Sequence, residues 1–371
     1  MECIRVLHVL GSLNIGGAET MVMNLYRNVD KNNIQFDFVV HGSSIGKYED
    51  EIKKMGGRIY RLPKYRVYNH LLYKRKWKEF FKTHPEYKII HAHMRSTASI
   101  YLKVAKKMGL KTICHSHSTS NGKGLSAIVK KVLQHNIIKY ADYLLGCSYE
   151  ANEWLYGKGV NERENCYVFN NSIDTKKFLF NEEIRKKYRK KYGLTDKYVI
   201  GQIGRFISIK NYDYTISLFS EYQKINPNSF LVLIGDGPLY SAIKEKIDNL
   251  LLNDKVLILQ NIFNVNEIMQ ALDVFIMPSL YEGLPLTLVE AQAASLPCIV
   301  SKNISAGFLI NDLINFIDIN DDYTKTIDLL ENVQNNIRKN RFKNIKDAGF
   351  DIGTSTKWLT KFYIDIIKRG R

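Results

Sequence analysis

Nowhere in its 371 residues does this chain carry an unbroken apolar run of about 18, the length a helix needs to cross a bilayer. Its first residues, MECIRVLHVLGSL, reach a Gly-Gly pair too soon to form the apolar stretch of a signal peptide, so a cytoplasmic protein is expected. The five cysteines (Cys3, Cys114, Cys147, Cys166, Cys298) stand singly. With no Cys-x-x-Cys pair and no metal-ligand spacing, reduced and buried thiols are expected, and neither a disulfide scaffold nor a structural zinc site. No Asp-x-Asp pair offers twin carboxylates to a divalent cation. RRM-like, zinc-finger and helix-turn-helix signatures are missing too.

Positive charge is what the chain has in excess. Lys and Arg number 54 against 37 Asp and Glu, a net +17, and residues 1–175 hold 27 of those bases but only 15 of the acids. Such a balance suits an anionic partner, either nucleic acid or a membrane surface. Two stretches are basic and amphipathic. Lys64 to Lys82 carries seven Lys or Arg among six aromatics, and Gly122 to Tyr140 has four Lys and no acid. On a bilayer, Lys74, Arg75, Lys130 and Lys131 would meet headgroups while Trp77 lay at the interface. On a domain surface, the aromatic side would be core and the lysines would face water.

A chain of this length exceeds the roughly 250–300 residues at which one core usually splits, so two domains are expected. Apolar strand-like runs alternate with helical patterns throughout, which predicts βαβ units and parallel sheets. Ile4 to Leu10 reads as a buried strand that empties into GSLNIGGAE, where Gly16 and Gly17 would let backbone N–H groups approach a phosphate. His91-Ala-His93 and His115-Ser-His117 fall at later strand ends, where parallel sheets bind ligands. Four imidazoles on neighbouring strands suggest zinc, but no carboxylate or cysteine completes the set. In the second half, the strand Tyr198 to Ile203 is followed by GRFISIKN. Arg205 offers a planar fork to phosphate oxygens and Lys210 a point charge, a pair suited to a diphosphate.

The most informative stretch is Met277 to Val300, MPSLYEGLPLTLVEAQAASLPCIV. A strand ends, a loop delivers Glu282, a helix starts near Pro285, and Glu290 follows on that helix after seven intervening residues. The unpaired N–H groups at the helix start attract a phosphate, whereas the flanking carboxylates suit neutral hydroxyls. Hydroxyl, phosphate, hydroxyl is the outline of a nucleotide sugar.

Framed as PSLYEGLPLTLVEAQA, this stretch resembles the paired-glutamate motif of the family 4 retaining glycosyltransferases, most closely the bacterial enzymes that build exopolysaccharide and capsule. The resemblance implies an α/β protein of GT-B fold: two Rossmann-like, doubly wound parallel-sheet domains facing a cleft. Residues 1–175 would bind acceptor and residues 176–353 the nucleotide sugar, with a C-terminal helix (354–371) crossing back to the first domain. It further implies transfer of a hexose or N-acetylhexosamine from a UDP-linked donor to a lipid-linked saccharide at the inner face of the cell membrane, without cofactor or metal and without nucleic acid. Glu290 would hold the ribose hydroxyls and Glu282 the sugar ring. Arg205, Lys210 and the backbone of Gly283 and Leu284 would take the diphosphate, assisted by Gly16 and Gly17. Asn261 would lie at the base, and His117, with His115 as the alternative, would reach the sugar's hydroxyls. A nucleotide-sugar epimerase or hydrolase of the same fold is the alternative activity. Three departures from the family pattern stand out: Ser172 where Gly is usual at the domain link, Gln260-Asn261 where Gly usually follows the strand, and SKNISAGFLI after Val300 where relatives carry Gly-Gly or Gly-Glu.

Overall fold

The computed structural model describes residues 3–117, 133–262, 264–282, 285–304, 310 and 312–369. The chain forms two compact units. Unit 1 comprises residues 1–172 and 352–371, and unit 2 comprises residues 173–351. Counted over these units the charge separates completely: unit 1 holds 32 Lys and Arg against 15 Asp and Glu, which is the whole +17, whereas unit 2 holds 22 of each.

Unit 1 is built on seven strands: β1 (Ile4–Val9), β2 (Ile34–His41), β3 (Ile59–Leu62), β4 (Ile89–Ala92), β5 (Lys111–Ser116), β6 (Tyr143–Gly146) and β7 (Cys166–Val168). Their order is β3-β2-β1-β4-β5-β6-β7, with every described pairing parallel. Side chains alternate between the faces of each strand. Val6, Ile89 and Ile113 join Tyr26 of the helix Gly17–Asn28 and Tyr363 of the C-terminal helix Ile352–Lys368 on one face. Leu7, Ile90 and Cys114 pack with Trp77 and Tyr101 on the other. The C-terminal helix therefore belongs to the core of unit 1.

Unit 2 repeats the design with β8 (Tyr198–Ile203), β9 (Ser229–Ile234), β10 (Val256–Leu259), β11 (Val274–Met277), β12 (Cys298–Ser301) and β13 (Ile314–Ile317), ordered β10-β9-β8-β11-β12-β13. The helix Glu182–Lys191, which its charge marks as solvated, is in fact anchored. Arg185 and Arg189 both bind Asp273 at the start of β11, and Tyr188 is buried. Asp273 also accepts the Val199 N–H at 2.7 Å, so one carboxylate ties this helix to the two central strands. All five cysteines are free; Cys114, Cys147 and Cys298 are buried, while Cys3 and Cys166 are partly exposed.

In each unit the strand order reverses at one point, between β1 and β4 and between β8 and β11. Ligands of doubly wound sheets bind beyond the carboxyl ends of the strands at such switch points.

Candidate functional site

At the switch point of unit 2, β8 leaves through Gly204 and Arg205, and β11 leaves through Pro278 and Ser279. Glycine is required just beyond β9: a Cβ on Gly235 would lie 1.9 Å from the carbonyl oxygen of Gly204, so the two loops could not approach otherwise. Lys210 ends a short 3-10 turn (Ser208–Lys210), and Asn211, left-handed at φ 53°, turns the chain into the helix Tyr212–Ile225. The Lys210 ammonium binds the Glu282 carboxylate, which also accepts the Ser279 hydroxyl at 2.9 Å. Lys210 and Glu282 keep only 17% and 13% side-chain exposure, so water screens this pair weakly. Arg205 is exposed, and among the described residues no carboxylate pairs with it.

Glu290 sits in the helix Leu286–Ala293, which follows Pro285. The residue as a whole is half-buried, yet burial of its carboxyl pushes the pKa up to about 8, and among the described residues no cation or hydrogen-bond donor offsets this. A carboxyl so placed is poised to ionise when donors reach it. Gly283 and Leu284 lie outside the described residues. Asn261 is exposed and adopts φ 54°. Asn tolerates this left-handed conformation better than other residues with a Cβ, so the turn usually served by Gly is kept. Its neighbour Gln260 donates to Asp236 at 3.1 Å across the loops after β9 and β10.

In unit 1, Gly16 precedes the first turn of the Gly17–Asn28 helix and Gly17 is exposed. A Cβ on Gly17 would meet nothing within 4 Å, whereas one on Gly16 would lie 2.5 Å from the Glu19 carboxylate. Glu19, a residue the sequence reading did not single out, thus occupies the helix start with its own anionic group, and burial raises its pKa. A cavity of about 490 Å³ opens beyond β1, β2 and β4, bordered by Gly11, His41, Lys64, Arg66, Met94 and Leu133. Its wall is largely apolar, with two cations among its lining residues.

Alternation places His8, His91, His93, His115 and His117 on the sheet face covered by Tyr363. His8 Nδ1 is 2.9 Å from His93 Nε2, His93 Nδ1 is 2.8 Å from His117 Nε2, and His91 Nδ1 is 2.6 Å from the Tyr363 hydroxyl. Burial lowers the pKa of all five, to about 3 for His8 and His115 and well below the usual value for the others, so the rings are neutral at pH 7. Two triads, His8/His91/His93 and His93/His115/His117, bring ring nitrogens within 4.8 Å of one another. The sequence reading found the four histidines of the two His-x-His pairs and missed His8, whose single placement in β1 carries no spacing signal.

One expectation is overturned. Trp77 is fully buried, and in the helix His70–Thr83 it packs with Tyr73, Phe80 and Phe81 inside unit 1, so it cannot lie at a membrane interface. Lys74 is half-buried, and Arg75 is exposed beside Glu79 at 3.5 Å. The apolar residues that do face water precede them: Val67 (68% exposed), Tyr68 (82%), Leu71 (79%) and Leu72 (41%). Lys130 and Lys131 lie outside the described residues. No described helix is long and apolar enough to cross a membrane.

Two parallel-sheet units, with polar side chains gathered at the carboxyl ends of the central strands, define a GT-B architecture. Comparison with known proteins agrees. The family model for glycosyl transferases of group 1 matches residues 184–347, and that for glycosyltransferase family 4 matches residues 15–177. The putative glycosyltransferase EpsF of Bacillus subtilis (strain 168) is 37% identical over 81% of this chain and 80% of its own length. A UDP-Gal:alpha-D-GlcNAc-diphosphoundecaprenol alpha-1,3-galactosyltransferase of Escherichia coli is 29% identical over 76% of each. Among solved structures, Anabaena HepE in complex with UDP superposes with a TM-score of 0.76 over 98% of this chain and all of that one, at 16% identity. The protein belongs to family 4 of the glycosyltransferases and is a transferase enzyme.

Proposed function

We propose that the enzyme moves a hexose or N-acetylhexosamine, with retention of configuration, from a UDP-linked donor to a lipid-linked saccharide in exopolysaccharide or capsule assembly. One observation carries the donor assignment: a carboxylate held by Lys210 and Ser279 stands at the switch point of unit 2, with a second, high-pKa carboxyl on the helix that follows. Glu290 takes the ribose hydroxyls, which stabilise its ionised form, and Glu282 takes the sugar. Arg205, Lys210 and the start of the Leu286–Ala293 helix take the diphosphate, a role the family resemblance also gives to the backbone of Gly283 and Leu284. As the sugar–phosphate bond breaks, negative charge grows on the leaving oxygen, and preorganised cations and N–H groups lower that barrier without a metal. Asn261 borders the base. His117 is assigned to the sugar's hydroxyls, and Gly16 and Gly17 leave room for a phosphate.

The donors named for relatives support a uridine nucleotide: HepE is described with UDP and with UDP-glucose, and the Escherichia coli relative by its UDP-galactose donor and diphosphoundecaprenol acceptor. For the acceptor, the cavity beside Lys64 and Arg66 combines cations with an apolar wall, as a lipid diphosphate requires. Concentration of the entire +17 on unit 1, with Val67, Tyr68, Leu71 and Leu72 exposed among Lys64, Arg66, Lys74 and Arg75, supports peripheral binding to an anionic membrane at its inner face. A thermal-shift panel of UDP, GDP, ADP and CMP, each in EDTA, tests the donor site. Stabilisation by UDP alone, lost in Glu290→Ala, is expected; stabilisation by another nucleotide, or an undiminished shift in the variant, would refute it.

A further inference from the structure

The buried histidines have a geometry that decides between a metal site and a hydrogen-bonded chain. Rings that share a metal aim their lone pairs at one point, which for tetrahedral zinc separates the nitrogens by about 3.3 Å. An in-line N–H···N bond between coplanar rings is different: with each nitrogen about 1.2 Å from its ring centre, a bond near 2.9 Å sets the centres ~5.2 Å apart. For His8 and His93 the centres are 5.2 Å apart and the planes differ by 9°. For His93 and His117 the values are 5.0 Å and 28°. Both pairs are in-line hydrogen bonds, and three imidazoles form one chain.

Each neutral ring has one donor and one acceptor, so the chain has only two polarities. In one, His117 Nε2–H donates to His93, His93 Nε2–H donates to His8, and a proton is left on His8 Nε2. That nitrogen is buried with no hydrogen-bond partner among the described residues, in a ring tilted against Phe36 with the centres 4.1 Å apart. In the other, His8 Nδ1–H donates to His93 and His93 Nδ1–H donates to His117, which leaves only a lone pair at His8 Nε2. Each polarity thus ends on one buried N–H; no acceptor stands beside His8 Nε2 among the described residues, whereas the unpartnered Asn171 amide oxygen lies near His117 Nδ1, so the second polarity wins. It puts the last proton on His117 Nδ1, which is buried and closes no hydrogen bond among the described residues, with the Asn171 amide oxygen near enough to favour that proton.

We infer that His8 and His93 are positioning residues that lock His117 in its Nδ1–H tautomer, so that this ring offers a hydrogen-bond donor to the Asn171 amide oxygen and, in its place, to an oxygen of the bound ligand. Free imidazole side chains favour the Nε2–H form, so the chain imposes the opposite choice. The consequence for turnover rests on the proposed contact of His117 with the sugar; the tautomer does not.

Selective ¹⁵N-histidine labelling with long-range ¹H–¹⁵N correlation at pH 7.5 reads the tautomers in the full-length wild-type protein, with His8→Phe and His117→Asn to assign signals. Nδ1–H on His8, His93 and His117 is expected. In His8→Phe, His117 should revert toward Nε2–H, and kcat/KM should fall roughly tenfold, as for one lost hydrogen bond. A wild-type His117 protonated on Nε2, or a stoichiometric metal that chelator removes with a change in these signals, would overturn the relay. If His117 carries Nδ1–H but His117→Asn transfers at the wild-type rate, the relay stands and the sugar contact falls.

Discussion

If Glu290 takes the ribose hydroxyls as proposed, its raised pKa couples donor binding to a proton. With the pKa near 8 in the free enzyme, about one tenth of the carboxyls are ionised at pH 7, one half at pH 8 and about one hundredth at pH 6. Ribose hydroxyls donate to a carboxylate, so the ligand selects the ionised minority, and its apparent dissociation constant is divided by that fraction. UDP should therefore bind about tenfold more weakly at pH 6 than at pH 7, and about fivefold more tightly at pH 8. At pH 7, binding should release about 0.9 proton, provided the bound carboxylate returns to the usual range. Isothermal calorimetry in two buffers of different ionisation enthalpy measures this release directly. Glu290→Gln, neutral at every pH, should bind weakly, without proton release and with a flat profile over this range. Proton release unchanged in Glu290→Gln, or none in the wild type, would refute the reasoning.

Lys210→Ala should cut kcat by about 10² to 10³ if, as proposed, it removes a preorganised cation from the leaving diphosphate, while circular dichroism at 25 °C stays native; a wild-type kcat would contradict the role. Val67→Asp with Leu71→Asp should abolish sedimentation with anionic vesicles and leave the Tm within about 2 °C, since both side chains already face water; unchanged sedimentation would remove the membrane face. Acid should unfold the protein early. Each depressed imidazole is neutral when folded but takes up a proton when unfolded once the pH drops below about 6.5, so stability is complete above that value and is lost toward the folded values near 3. Five such groups give a slope of up to about 7 kcal/mol per pH unit, so the Tm should fall steeply from pH 6.5 to 5; a flat Tm over that interval would mean that these rings are not buried neutral.

The strands were legible because parallel sheets buried on both faces leave continuous apolar runs, and β11, whose four residues are all apolar and buried, is the clearest case. Glu282, Lys210 and Glu290 were legible through the residues framing them. Pairing of Lys210 with Glu282 was not, because 72 residues separate them and only the parallel alignment of β8 with β11 brings them together. Trp77 was misread for a physical reason: an amphipathic helix with aromatics on one side presents the same pattern whether that side meets lipid or core, and here it packs on Tyr101. The exposed apolar group begins ten residues earlier, in a 3-10 turn (Val67–Asn69) too short to show a period. His8 needed the β1–β4 register, which sets it opposite His91.

The most direct test of the account is transfer itself. Wild-type enzyme in EDTA would be given UDP-hexoses and a diphosphate-lipid-linked saccharide in anionic vesicles, and the product's anomeric configuration read by NMR. Metal-independent transfer from a UDP donor with the α configuration retained is expected, lost in Glu290→Ala and in Lys210→Ala. An inverted product, a strict requirement for divalent metal, or donor breakdown with no glycosylated lipid would contradict it.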